Sequence, residues 1–235
     1  MFGKTPILQL ALKKRSRRAV LRRGFTLIEL LFVLAIMAIL AALVGPSVNT
    51  LLRPSQLTQG AHLVCDQLSL ARQTAISRNL ITEVRFYQYA DTTVPGEQPG
   101  NAATGKYRAM QMFQIQESGS AVALSKVQRL PASLVIDSGS PLSSLIGQAL
   151  AAPNVPTLAT GNTVKVPIAQ AGTSYNTACF RFLPSGATNL SPLATSRWFL
   201  TLHSLKDGDS LAAPPANFFT IQIDACNGHL KTFRP

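Results

Sequence analysis

Glu29 is the residue whose chemistry needs explaining first. It sits four residues into an apolar run, residues 25–44, that has no other charge, no proline and no glycine. Arg22, Arg23 and Gly24 stand directly before that run. Twenty residues span about 30 Å as a helix, which is the hydrocarbon thickness of a bilayer. A carboxylate in such a segment costs about 2.5–3.5 kcal/mol on insertion scales. Two explanations stand open. Glu29 lies near one end of the run, so its side chain can reach the interface. Alternatively the chain is cut between Gly24 and Phe25, and Glu29 neutralises the new α-amine of Phe25, on its own chain or on an adjacent copy.

Other chemistry is sparse. His62, His203 and His229 are scattered, with no Cys, Asp or Glu at ligand spacing, so no metal site is expected. Ser, His and Asp all occur, but no Gly-x-Ser-x-Gly elbow places a nucleophile. No glycine-rich loop could cradle a phosphate. Ten acidic residues in 235 leave little material for paired carboxylates. Neither an enzyme nor a cofactor is expected. Lys231 and Arg234 flank Phe233, with His229 nearby and Arg181 and Arg197 able to join them. Such a patch would support weak, salt-dependent nucleic-acid binding; ordinary solvated strand-end charges are the alternative.

The elements that position these residues begin with a leader. The formal net charge is +12, but eight of the 22 lysines and arginines lie in residues 1–24, which carry no acid. The remaining 14 against ten acids leave a processed chain at about +4. The basic pI therefore belongs mostly to the leader and is not a nucleic-acid footprint. Positive charge beside an apolar segment holds that side in the cytoplasm. The expected topology is a single pass through the inner membrane, with the N-terminus cytoplasmic and the head periplasmic. A cleavable export signal ending near Ala41-Ala42 is the competing reading, but the apolar run is long for one and Glu29 does not belong in it. On the exported side disulfides are permitted. Three cysteines leave at least one unpaired within the chain. A bridge, if formed, is expected between Cys179 and Cys226, both at ends of expected strands; buried free thiols are the alternative.

Gly45-Pro46 follows the apolar run and predicts a kink. Arg53-Pro54 predicts a second interruption, with Ser55 capping a new helix. From 56 to 78 the residues Leu57, Ala61, Val64, Cys65, Leu68, Ala71, Ala75 and Ile76 recur at spacings of three and four, one face of an amphipathic helix. Its polar face, including Asp66 and Arg72, reads as solvated. After Asn79 the period changes to two. Strands are expected at 81–87, 107–116, 122–130, 134–136, 163–168, 179–183, 197–203, 218–224 and 229–233. Residues 90–106 read as a loop, and 138–162 as a long surface loop with a short helical turn near 142–151. Asn227-Gly228 signals a two-residue hairpin. The fold expected is α+β: a long N-terminal helix, membrane-spanning in its first half and amphipathic in its second, packed on an antiparallel sheet. The divisions are 1–24 leader, 25–44 membrane and assembly helix, 45–80 helical spine and 81–235 head.

The contiguous stretch Arg23-Gly24-Phe25-Thr26-Leu27-Ile28-Glu29-Leu30-Leu31 resembles the type III signal of type IV pilins and type II secretion pseudopilins. The resemblance implies that a prepilin peptidase cuts between Gly24 and Phe25 and methylates the Phe25 amine. It implies that Phe25 and Glu29 set subunit packing in a helical filament of pilins, and that Gly45-Pro46 marks where the helix softens on assembly. Later segments are similar to the GspH/FimT branch of minor pseudopilins and minor pilins: Ala71-Arg72 and Ala75-Ile76 in the spine, Phe180-Arg181-Phe182-Leu183-Pro184-Ser185-Gly186, and Ile221-Gln222-Ile223 with Asn227-Gly228-His229-Leu230. Some FimT-like minor pilins take up DNA through basic C-terminal residues, which gives the Lys231–Arg234 patch its functional alternative. The leader is longer than is usual in the family, and 138–162 has no counterpart in it.

Overall fold

The first helix, α1, runs from Leu27 to Arg78. It is the longest element of a computed structural model that describes residues 25–98, 100–149, 168, 171, 174–192 and 197–235. Helical backbone passes through Gly45-Pro46 and Arg53-Pro54 without a non-helical residue, so the expected second helix capped by Ser55 does not start there. A proline forfeits its own N–H and crowds the preceding turn, but its fixed φ is helical. The chain divides into two compact units, Met1–Pro46 and Ser47–Pro235.

In the second unit the amphipathic reading of α1 holds. Leu57, Ala61, Val64, Leu68, Ala71 and Ala75 are buried, and Ile76 is the one expected core position that stays exposed. They pack on a nine-stranded sheet in which the pairs are antiparallel. Its strands are β1 (Ile81–Tyr89), β2 (Lys106–Ile115), β3 (Ala121–Ala123), β4 (Gln128–Arg129), β5 (Leu134–Ile136), β6 (Asn176–Phe182), β7 (Trp198–Ser204), β8 (Phe218–Ile223) and β9 (Leu230–Phe233). The order is β6-β1-β2-β5-β7-β8-β9, with β3 and β4 also on β2. This is the α+β architecture expected from the change of period at residue 79.

Strand alternation sorts the sheet into two faces. Val84, Phe86, Met110, Ala178, Phe180, Phe182, Leu200, Leu202, Ile221 and Ile223 meet the helix. Burying each large apolar side chain contributes about 1.5–3 kcal/mol before conformational entropy is set against it. The helix approaches closely at Gly60, where a Cβ would stand 2.5 Å from Leu134 Cδ1. On the opposite face Tyr87, Tyr89, Ala109, Ile168, Ala171 and Tyr175 form a second cluster.

Three expectations are corrected. The strand expected over 122–130 is broken into β3 and β4, because the Ser125 hydroxyl accepts from the Met112 N–H at 3.1 Å where a strand carbonyl would. The 138–162 stretch is not simply a surface loop. Leu142, Ser143, Ser144, Leu145 and Ile146 are buried, and a short helix α2 covers Ser144–Ala149. The Ser143 hydroxyl accepts from Thr201 N–H and that of Ser144 from Phe199 N–H, both at 3.0 Å, completing the edge of β7 that β5 leaves open. The strand expected at 163–168 falls, apart from Ile168, outside the described residues. The hairpin between β8 and β9 is longer than two residues: Asp224 N–H donates to His229 O and Gly228 N–H to Asp224 O. A two-residue type I′ turn needs positive φ at both central residues; Gly228 has φ +68° and Asn227 does not share it.

Candidate functional site

Residue 25 onward is where the structure meets the expected processing site; Gly24 lies outside the described residues. Thr26 is the N-cap of α1 and Glu29 its third residue. The Glu29 N–H donates to Thr26 Oγ1 at 3.3 Å. In return Glu29 Oε2 accepts from the Thr26 backbone N–H at 2.8 Å and from its hydroxyl at 2.9 Å. This reciprocal arrangement is a capping box, which satisfies two helix-start donors that otherwise lack partners. The carboxylate also lies at the positive end of the helix dipole. Sequence reasoning left Glu29 to the interface or to the Phe25 amine and passed over Thr26, although Thr-x-x-Glu ahead of an apolar run is itself the signature of such a cap.

The apolar side chains that follow are exposed among the described residues. Leu27 is 81% exposed, and Leu30, Leu31, Phe32, Leu34, Ile36, Met37, Ile39 and Leu40 are also exposed. Their described part, residues 27–41, is shorter than a bilayer span. Among the described residues no helix is long and apolar enough to cross a membrane.

Residues 21–45 match the family model of the prokaryotic N-terminal methylation motif. The chain carries this motif. The resemblance drawn from residues 23–31 is thereby supported, and the methylation motif takes in Gly24, Phe25, Thr26 and Glu29 together. Among solved structures the chain is similar to the minor pseudopilin EpsH from the type 2 secretion system of Vibrio cholerae, with 11% identity and a TM-score of 0.39 over 77% of this chain and 98% of that one. It is also similar to the type IV minor pilin FimU of Pseudomonas aeruginosa PAO1, with 11% identity and a TM-score of 0.38 over 77% of this chain and 93% of that one. The chain matches no curated protein.

Beyond the methylation motif, the head regroups the residues singled out from sequence. Arg181 is paired with buried Glu83 at 2.8 Å, and Arg85 with the same carboxylate at 2.6 Å. Arg234 turns to the spine and donates to Thr58 Oγ1 at 2.7 Å. Arg197, His229 and Lys231 instead line one cleft of about 180 Å³. Lys231 and Arg234, expected to act together, thus have different surroundings. Arg72, expected on a solvated face, donates to the Asn227 carbonyl at 2.9 Å and fastens the β8–β9 turn to α1.

Cys226 is free and exposed, so the Cys179–Cys226 bridge is not formed. Ala178 and Phe180 point toward α1, which puts Cys179 on the opposite face of β6. Burial pushes the Cys179 thiol up to about 12, with the Glu83 carboxylate adding to it.

His203 was read as an isolated histidine. It is fully buried, and so is Asp137 beside it. Its Nε2 stands 3.1 Å from Asp137 Oδ2 and its Nδ1 3.0 Å from the Ser204 carbonyl. A carboxylate and a carbonyl only accept, so this setting favours the imidazolium. Burial opposes it, but the Asp137 and Ser204 hydrogen bonds raise the His203 pKa. Asp137 also accepts from the Gly139 and Leu211 N–H groups. The pair fixes two loops. Among the described residues no three His, Cys, Asp or Glu side chains are grouped to hold a metal ion.

Proposed function

We propose that this chain is a structural pilin-like subunit, made as a precursor and assembled into a type II secretion pseudopilus or a type IV pilus. The observation that carries the reading is the methylation motif, with Glu29 held at the helix start by Thr26. In this reading the basic leader stays in the cytoplasm and residues 25–44 anchor the precursor in the inner membrane, with the head in the periplasm. A prepilin peptidase cuts between Gly24 and Phe25 and methylates the Phe25 amine.

The leftover chemistry then fits assembly. Oε2 of Glu29 serves the helix cap, which leaves Oε1 for a cation. The Phe25 amine, on this chain or on a neighbour, is that cation. Inside a bundle of apolar helices such a pair is little screened, and leaving one partner alone is costly. The exposed apolar side chains of residues 27–41 supply the helix-packing surface, which lipid covers before assembly and neighbouring subunits cover afterwards. Gly45-Pro46 is the place where α1 would soften on assembly. The role is structural, with no reaction to catalyse beyond being a peptidase substrate.

The test is mass spectrometry of the native protein from membranes and sheared filaments. A chain beginning at methylated Phe25 supports the reading. A chain retaining Met1 overturns it and leaves a plain single-pass anchored protein.

A further inference from the structure

The sheet disposes of its arginines consistently. Arg85 and Arg181 share Glu83, Arg108 lies against Glu97 and Asp91, and Arg129 reaches Asp91. Among the described residues Arg197, which leads into β7, has no such partner. It lines the cleft with Lys231 of β9 and His229 of the β8–β9 turn, and Lys231 likewise makes no ion pair. The one acid on the cleft, Asp224, has Oδ1 engaged by the Cys226 N–H at 2.9 Å. Trp198, Ile223 and Pro192 are among its lining residues, and the indole N–H is already given to the Ser191 carbonyl at 2.9 Å.

We propose that this cleft binds a carboxylate carried by an acidic segment of a partner protein, with Arg197 and Lys231 as its recognition groups. A guanidinium offers a planar fork suited to a carboxylate, and an ammonium adds a point charge beside it. Trp198 is 8% exposed and belongs to the core cluster that meets the helix, so it presents no stacking platform. Two unpaired cations beside an aspartate also suit a single carboxylate better than a run of phosphates. Arg197, His229 and Lys231 are exposed.

Trp198 is the chain's one tryptophan and borders this cleft, so its emission is the reporter. The experiment titrates the full processed chain in nonionic detergent with hexaglutamate, hexaglutamine and a hexathymidylate at low and high salt. Hexaglutamate is expected to give a saturable change in emission that weakens several-fold at high salt, with no response to hexaglutamine. Arg197→Ala and Lys231→Gln are each expected to weaken it about ten-fold, Arg197→Lys to restore part of it, and Lys126→Ala, at an exposed lysine elsewhere, to leave it unchanged. Unliganded emission and urea midpoints matching the parent show that the variants fold. No saturable response, an equal response to hexaglutamine, tighter binding of the oligonucleotide, or equal effects of Arg197→Ala and Lys126→Ala would each overturn the proposal.

Discussion

Glu29 Oε2 accepts both donors of Thr26, the backbone N–H at 2.8 Å and the hydroxyl at 2.9 Å. The start of α1 is thus closed by two side chains acting on each other. Thr26→Val removes the hydroxyl and should cost about 1 kcal/mol at the helix start, while Thr26→Ser should be near neutral. Hydrogen exchange of the first amides after Thr26 is the measurement, with about five-fold faster exchange expected in the valine variant. Unchanged exchange would show that the cap contributes nothing there.

The assembly role proposed for Glu29 is separable from this local one. Glu29→Ala should leave membrane insertion and cleavage largely intact and reduce recovery in sheared filaments. Gly24→Arg should act earlier, leaving a membrane-bound precursor heavier by the 24 leader residues. Immunoblots of membrane and filament fractions distinguish the two. Normal filament recovery with Glu29→Ala would remove the carboxylate from the assembly mechanism.

The Asp137–His203 pair makes head stability depend on pH in a definite direction. Burial opposes both charges. The mutual hydrogen bond, with backbone partners on each side, outweighs it, holding the carboxyl below its usual range and the imidazolium above. The raised histidine contributes fully below about pH 6.5 and loses its contribution as pH rises through its folded pKa. The depressed aspartate contributes above about pH 4 and loses its contribution as pH falls through its own. The pair is therefore most stabilising between about pH 4 and 6.5. Asp137→Asn should cost about 3 kcal/mol in that window and flatten the decline above it. Urea unfolding followed by Trp198 emission across pH measures both.

Thiol chemistry checks the head independently. Cys226, exposed and free, should react with a maleimide within the native fold. Cys65 is partly buried and its thiol is pushed up to about 11, by burial first and Asp66 second. Cys65 and Cys179 should label only after unfolding. Rapid labelling of Cys179 in the native protein would contradict its placement in β6.

Much of this architecture is legible in the residues. The spacing from Leu57 to Ala75 gives the buried face of α1, and the alternation in Ile81-Thr82-Glu83-Val84-Arg85-Phe86 gives β1. Both depend only on local periodicity. What is not legible depends on contacts distant in sequence. Arg181 and Glu83 are 98 residues apart, and His203 and Asp137 are 66 apart. Nothing in either neighbourhood announces the other. Ser143 and Ser144 read as loop residues because serine usually is; here their hydroxyls stand in for a missing strand. The Cys179–Cys226 expectation failed on a point that was available. Position at a strand end says nothing about face, whereas the alternation of Ala178 and Phe180 does.

The bond from Arg234 to Thr58 spans 176 residues, and that from Arg72 to Asn227 spans 155. Neither can close until almost the whole of the head's sequence is available to fold. Contacts so remote in sequence form slowly, and until they do the bare flank of the spine and the edge of β8 stay open to wrong partners. A chain that still lacks its last strand is thus at its most exposed to chaperones and proteases.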